Sequence, residues 1–114
     1  KKYSKLFMKN ITQSQSSCKT TMKLLGDYWT LRIIEALGRH EGDGVRFCEL
    51  QRSLDNVNPV TLTNRLKKLE QTKLVRRSHA AQDKISVSYA LSSLGKDALT
   101  VIASLDAFAA KLSQ

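Results

Sequence analysis

A stretch in the middle of the chain, residues 57–77, carries the start, the two faces and the end of one helix. Asn58-Pro59 is a strong start signal, because Asn caps helix N-termini and Pro is favoured at the first helical position. Apolar residues then recur at helical spacing, at Leu62, Leu66 and Leu69. The sequence therefore predicts a helix over residues 59–71 with one buried face, followed directly by a short basic strand.

The polar face of this predicted helix carries residue types that can contact DNA. A short helix with an apolar back and a Thr/Asn/Lys front fits the major groove, where base edges are read. Of its residues, Thr61, Asn64 and Lys67 are the candidates for base edges, and Lys68 for a phosphate. For Arg65 a phosphate contact and an internal salt bridge stay open. The predicted DNA-binding residues are Val60, Thr61, Thr63, Asn64, Arg65, Lys67 and Lys68.

The order of the elements around this helix predicts a winged helix-turn-helix fold. Residues 19–37 have a helical pattern that Gly26-Asp27 divides in two, and a brief helix covers residues 47–54. A hairpin of residues 74–79 and 85–91 forms the wing, and a last helix starts at about Ser93. The predicted fold class is α+β, mainly α, with a two-stranded wing and terminal dimerisation helices. The expected division is an arm over residues 1–17, a DNA-binding domain over 18–92 and a dimerisation helix over 93–114.

The wing supplies a second set of candidate DNA contacts. Arg77 and Lys84 are expected to meet phosphates, which set affinity rather than sequence preference. His79 and Gln82 lie near the tip, where entry into a minor groove and a solvated loop are both open interpretations.

The net charge of +9 is unevenly placed along the 114 residues. Residues 1–23 hold six Lys and no acid, and residues 59–84 hold seven Lys or Arg against two acids. Clustered positive charge of this kind favours a polyanionic partner, and the motif order makes double-stranded DNA the expected one. No apolar run approaches the ~20 residues that cross a bilayer, so a single-domain intracellular, cytoplasmic protein is expected.

An apolar stripe on the last helix needs a covering surface. In one interpretation, the stripe packs against the core of its own chain. In the favoured interpretation, the stripe and the N-terminal helix together form the interface of a homodimer. Such a dimer would place two reading helices on successive turns of DNA. The predicted interface residues are Leu94, Val101, Ile102, Leu105, Phe108 and Leu112.

Two cysteines, Cys18 and Cys48, allow three interpretations. Both can be inert, because free Cys often behaves as a small hydrophobe. Cys18 can be a thiol sensor, since it lies near a helix start beside Lys19, and both features favour the thiolate. The third is a disulfide between Cys18 of one subunit and Cys48 of the other.

The chain shows no enzyme signature. It holds no nucleophile–base arrangement, phosphate-cradling Gly loop or carboxylate pair, and its Cys and His residues lack the close paired spacing of structural zinc. No catalytic residue, metal site or cofactor is therefore expected.

From Cys18 to about Phe108, the order and spacing of several fragments resemble the HxlR-type winged-helix regulators, relatives of the MarR group. The matching fragments include Leu24-Leu25-Gly26, Trp29-Thr30-Leu31, Arg46-Phe47, Asn58-Pro59, Leu74-Val75 and Tyr89-Ala90-Leu91-Ser92. The resemblance implies a bacterial or archaeal dimer that binds a palindromic operator. It also implies an electrophile- or oxidant-responsive cysteine near the N-terminus, where Cys18 stands. Lys73 departs from the family, which usually has Gly there.

Two other classes of function stay open on sequence alone. A winged-helix module can bind protein instead of DNA, although the basic face of residues 59–84 argues against this. The same basic surface can also bind structured RNA. An effector, either an oxidant or a small molecule, is allowed but not identified by the sequence.

Overall fold

The computed structural model describes residues 15–40, 42, 44–80 and 83–113. Residues 1–14, most of the predicted N-terminal arm, lie outside the described residues. The helices in this part of the chain are α1 (Gln15–Leu25), α2 (Tyr28–Gly38), α3 (Phe47–Ser53), α4 (Pro59–Gln71) and α5 (Ser93–Leu112). The strands are β1 (Val45–Arg46), β2 (Val75–Ala80) and β3 (Asp83–Leu91).

The predicted break at Gly26-Asp27 is confirmed. The Asp27 carboxylate accepts a hydrogen bond from the backbone N–H of Thr30 at 2.9 Å and so caps α2. A capped N-terminus fixes where a helix begins, because the first N–H groups have no partner inside the helix. The single helical pattern therefore becomes two helices, of which α1 begins three residues before Cys18.

The reading helix α4 has the bounds that the sequence predicts. The side-chain oxygen of Asn58 accepts the backbone N–H groups of Val60 at 2.8 Å and Thr61 at 3.4 Å. Before it, Asp55 and Asn56 take left-handed backbone angles, which short polar side chains tolerate. The amide of Gln51 on α3 donates to the carbonyl of Val57 at 2.9 Å, which fixes α4 relative to α3.

The core lies behind α4 and around α2, which packs against α3, α4 and α5. Ile33 and Ile34 of α2 are fully buried, and so is the apolar back of α4. The largest fully buried apolar side chains are Ile33, Ile34, Val45, Leu50, Leu54, Leu62, Leu66 and Leu69. The helix that carries the candidate DNA face is thus held along its length by the core.

The predicted two-stranded wing is confirmed as the hairpin of β2 and β3, and a third strand extends this hairpin to an antiparallel sheet. The extra strand is β1, in which Val45 pairs with Tyr89 and Arg46 pairs with Ser88 of β3. Two residues are too short for an alternating pattern, and their partners lie more than forty positions further along the chain. The added strand anchors the base of the wing next to α3.

The turn after α4 has a left-handed residue, and this residue is Lys73 and not the Gly that such a turn prefers. Lys73 has φ of 70°, its N–H donates to Glu70 at 3.0 Å, and the N–H of Leu74 donates to Leu69 at 3.0 Å. These two bonds form a Schellman cap, in which Gly is preferred because a Cβ is strained at this position.

We therefore expect Lys73→Gly to stabilise the protein by about 1 kcal/mol, since Gly relieves the strain of the left-handed angle. Urea unfolding of the variant, followed by circular dichroism, measures the change. Lys73→Ala removes the same charge but keeps the Cβ, so it is the matched control and should gain nothing. Equal stabilisation by both variants would assign the effect to charge instead of backbone strain.

Candidate nucleic-acid interface

The outward face of α4 presents a line of exposed side chains one helical turn apart. Val60, Asn64, Lys67 and Gln71 form this line, and Lys68 lies beside Asn64. Val60 is 65% exposed, which is unusual for an apolar side chain on a helix whose back is fully buried. Thr61 and Thr63, also predicted to contact bases, are half-buried at the two edges of the face. Gln71 was not among the residues predicted from sequence; its place on the helical repeat of Asn64 was the available signal.

Arg65 makes an internal salt bridge, one of the two roles left open by the sequence. Its Nε donates to Asp27 Oδ2 at 2.9 Å, and its Nη2 donates to Asp27 Oδ1 at 3.1 Å. The same Asp27 carboxylate caps α2 and accepts the Thr30 hydroxyl at 2.9 Å. Asp27 therefore joins the start of α2 to the middle of α4, and it fixes how α4 projects from the core.

The pKa of Asp27 is lowered from 3.8 to about 2. The largest cause is the hydrogen bond from the Arg65 guanidinium, and the hydrogen bonds from Thr30 lower the pKa further. Burial of the carboxylate raises the pKa, but by less than the Arg65 bond lowers it. Asp27 raises the pKa of Arg65 in turn. Because the folded-state pKa of Asp27 is depressed, its contribution to stability is present above about pH 4 and is lost as the pH falls toward 2.

We expect Asp27→Asn to lower the free energy of unfolding by about 1–2 kcal/mol at pH 7. The full shift corresponds to roughly 2.5 kcal/mol, which partial solvent exposure of the pair reduces. Asn still caps α2, so the loss reports the ion pair. Urea unfolding at steps between pH 6 and pH 2.5 should show the deficit shrinking with falling pH. Asp106→Asn, an exposed carboxylate on α5, is the control; a deficit that does not change with pH would contradict this account.

A basic residue from outside α4 lies at the edge of its face. Lys23, in the last turn of α1, lines a cleft together with Asn64 and Lys68. Sequence reasoning missed Lys23, because no motif distinguishes it from the other lysines of residues 1–23. The cleft extends the positive surface of α4 toward α1.

On the other side of α4, the wing lies beside the reading face. Arg77 of β2 lines a second cleft with Thr63 and Lys67 of α4. His79 is exposed further along β2 toward the tip. Gln82 and the side chain of Lys84, both predicted wing contacts, lie outside the described residues. Of the two predicted wing residues whose side chains the structure describes, Arg77 is the one that lines a cleft with the reading helix.

The apolar stripe of α5 divides into a buried and an exposed part. Ile102, one of the six predicted interface residues, is buried within the chain together with Ala98. The reason is that these two residues, four apart, share the side of α5 that packs on the core, so Ile102 is corrected to intrachain core. The other five remain exposed by 43–71%: Leu94, Val101, Leu105, Phe108 and Leu112.

Both cysteines are free and exposed, Cys18 on α1 and Cys48 near the start of α3. The exposure makes both thiols accessible to solvent reagents. Among the described residues, no group of three or more His, Cys, Asp or Glu side chains is placed to hold a metal ion. None of the helices in the described part of the chain is long and apolar enough to span a membrane.

Comparison with known proteins gives consistent results for the sequence and the fold. Residues 24–114 match the HxlR-like helix-turn-helix family. The chain is 30% identical over 88 residues to the HTH-type transcriptional regulator YdzF of Bacillus subtilis, covering 77% of this chain and 79% of YdzF.

Solved structures show the same architecture. The reduced form of the transcriptional regulator YodB from B. subtilis superposes with a TM-score of 0.70 and 28% identity, covering 80% of this chain and 86% of YodB. A MarR-family transcriptional regulator of Enterococcus faecalis superposes with a TM-score of 0.72 and 26% identity, covering 88% of each chain. The predicted winged-helix fold is therefore confirmed.

Proposed function

Because the chain belongs to the HxlR-like helix-turn-helix family of DNA-binding transcriptional regulators, not of enzymes, we propose that it acts as a homodimer on a palindromic operator. The observation that carries this proposal is the outward face of α4. The centre of this face is polar and basic, while the opposite face of the same helix is apolar and buried in the core. The proposal includes a cytoplasmic location, because the DNA of a bacterial cell, such as that of the similar regulator YdzF, lies in the cytoplasm.

In this proposal the base contacts come from the centre of the α4 face. Asn64 is the candidate for a bidentate bond to adenine, and Lys67 for the acceptors of guanine. Thr61 reaches a base edge from one side of the face, while Val60 and the Thr63 methyl touch thymine methyl groups. Arg65 is assigned to positioning α4, because its guanidinium is already paired with Asp27.

The phosphate contacts come from basic residues around that centre. Three basic residues surround the reading face: Lys68 on α4, Lys23 on α1 and Arg77 on the wing. None of them has an ion-pair partner among the described residues. Phosphate contacts hold the register and orientation of a protein on the duplex and carry most of its salt dependence. In this arrangement α1, α4 and β2 each contribute to one continuous backbone footprint.

The exposed stripe of α5 is the proposed dimer seam. Its residues fit a coiled-coil seam: Leu94 and Val101 are one heptad apart, and Val101, Leu105, Phe108 and Leu112 continue at spacings of four, three and four. Two copies joined by a two-fold axis present two α4 helices, which matches half-sites about 34 Å apart on a palindrome. One copy alone reads only half of such a site.

Cys18 is the proposed thiol through which an oxidant or electrophile changes operator affinity. Support comes from its exposure on α1, the helix that also carries the proposed phosphate contact Lys23 five residues further on. The similar regulator YodB has been solved in quinone-bound and diamide-treated forms. Diamide oxidises two thiols to a disulfide and is itself reduced to the hydrazine, so Cys18 paired with the partner subunit's Cys48 is one product to look for on a non-reducing gel.

Fluorescence anisotropy tests the function directly. Duplexes that tile the region upstream of the gene are titrated with protein at physiological salt, with excess random DNA, first with dithiothreitol and then with diamide. We expect tight binding to one tile, and a reversible change in diamide that Cys18→Ser abolishes. Stoichiometric capture of a protein partner with no tile outcompeting random DNA would instead favour a protein-interaction module.

Two variants of α4 separate sequence reading from charge. Asn64→Ala should reduce discrimination against mismatched sites by roughly tenfold while leaving random-DNA affinity nearly unchanged, because a bidentate base contact contributes about 1–3 kcal/mol.

Lys68→Ala should weaken binding to all duplexes and reduce the slope of log affinity against log salt by about 0.9. Lys111→Ala, at the far end of α5, is the charge-matched control. An unchanged salt slope in Lys68→Ala would exclude a phosphate contact there.

A further inference from the structure

Val60 is an exposed apolar side chain on the face of α4 that is proposed to read DNA. The leucines of this helix, Leu62, Leu66 and Leu69, are buried in the core. Val60 lies on the opposite side and is 65% exposed. It begins the outward line that continues with Asn64 one turn later. Its methyl groups therefore face the same surroundings as the side chain assigned to an adenine edge.

The position of Val60 is fixed by both its backbone and its side chain. Its backbone N–H donates to the side-chain oxygen of Asn58 at 2.8 Å, within the cap that begins α4. Its side chain is β-branched, and such side chains keep one strongly preferred rotamer within a helix. Val60 therefore presents two methyl groups at a fixed place, and a contact made there costs little conformational entropy.

A methyl group is the feature of a base edge that an apolar side chain recognises. In the major groove thymine carries a C5-methyl group, whereas the other bases present only donors and acceptors. The N-terminal residues of a reading helix are the ones that reach base edges, and Val60 is the second residue of α4. A donor or acceptor covered by Val60 would lose water without gaining a hydrogen bond. Val60 is therefore suited to a C5-methyl pyrimidine and selects against a polar base edge.

The helix also sets where this pyrimidine lies relative to the base that Asn64 contacts. Four residues of an α-helix advance by about 6 Å along its axis. Successive base pairs of DNA are about 3.4 Å apart. Each half-site is therefore expected to hold a methyl-bearing pyrimidine within about two base pairs of the adenine.

We propose that Val60 selects a C5-methyl pyrimidine at one position of each half-site, so that operator affinity depends on the methyl group itself. The inference rests on the proposed operator binding and deepens it. Thymine and 5-methylcytosine carry the same C5-methyl group, so a methylated cytosine at this position is recognised in preference to an unmethylated one. Enzymatic methylation of such a cytosine would then raise operator affinity.

Fluorescence anisotropy on modified operators tests the methyl group by itself. Each thymine of the operator tile is replaced in turn by deoxyuridine, which lacks only the methyl group. We expect one position in each half-site at which the replacement weakens binding about fourfold, and roughly fifteenfold when both half-sites are changed, because burial of one methyl group contributes to that extent. In Val60→Ala the loss at this position should disappear. Ala is a better helix former than Val, so α4 keeps its structure.

Gln71→Ala is the matched control, because Gln71 is exposed on the same outward line at the other end of α4. This variant should keep the full loss on deoxyuridine. In a second series, the selected thymine–adenine pair is replaced by cytosine–guanine and by 5-methylcytosine–guanine. The wild-type protein should bind the methylated pair about fourfold more tightly than the unmethylated pair. Val60→Ala should bind the two pairs equally.

The inference is wrong if deoxyuridine leaves affinity unchanged at every position, if the loss persists in Val60→Ala, or if 5-methylcytosine binds no better than cytosine. In each of these cases tight binding of the unmodified tile still supports the proposed function. If no tile outcompetes random DNA, the proposed function and the inference that rests on it fail together.

Discussion

Gly95→Ala is expected to destabilise the fold by about 2–4 kcal/mol, at the upper end of overpacking effects. A Cβ at Gly95 would overlap the carbonyl oxygen of Leu74 and lie 3.0 Å from its carbonyl carbon. That carbonyl also accepts the N–H of Ser92 at 3.0 Å, so it is fixed in place. Relief of the overlap requires the start of α5 to move away from the turn that ends α4. The gain of about 1 kcal/mol in helix propensity for Ala over Gly does not offset this.

Gly38→Ala is the matched control, because the substitution is the same and the site is also helical. A Cβ at Gly38 would meet the side chain of Leu99 at 2.8 Å, and a flexible side chain can rotate away whereas a backbone carbonyl cannot. Urea and thermal unfolding should therefore show a loss of roughly 10 °C in Tm for Gly95→Ala and a change of less than 1 kcal/mol for Gly38→Ala. Equal effects in the two variants would mean that α5 does not approach Leu74 so closely.

The elements that sequence predicts best are those with local signals. The bounds of α4 follow from Asn58-Pro59 at one end and the last leucine of its repeat at the other, and the structure has the same residues. The break before α2 likewise follows from Gly26-Asp27, because a cap acts on backbone groups within three residues of it. The start of α4 and the break before α2 together determine where the reading helix lies relative to the core.

The features that sequence could not decide depend on residues far apart in the chain. Arg65 and Asp27 are 38 positions apart, so only the folded chain distinguishes their salt bridge from a free phosphate-binding arginine. Strand β1 gains its partner from β3, and the burial of Ile102 depends on the packing of α5 against α2 and β3. Lys73 shows a further case that sequence could not decide. The hydrogen bonds of the Schellman cap hold this residue at a positive φ, although the conformational preference of a non-Gly residue disfavours that angle.

Phe108→Glu is expected to dissociate the proposed homodimer and to reduce operator affinity by at least 100-fold. The side chain is 57% exposed in the single chain and lies on the α5 seam, three residues after Leu105. A two-fold axis brings the two copies of the substituted residue to one interface, so two buried charges arise at once. In a dimer, binding of the first subunit to its half-site holds the second subunit near the other half-site at an effective concentration in the millimolar range. A monomer loses this gain in affinity.

Ala107→Glu adds the same charge at the neighbouring exposed position, which lies off the seam, and is the control. Sedimentation equilibrium should show monomers for Phe108→Glu and dimers for Ala107→Glu, with circular dichroism unchanged in both. Because Phe108 lies on α5 and not on the reading helix, affinity for a single half-site should stay the same while affinity for the full palindrome falls. A dimer that persists in Phe108→Glu would place the interface elsewhere, and an equal loss on half-site and palindrome would show that the substitution acts on the reading helix instead.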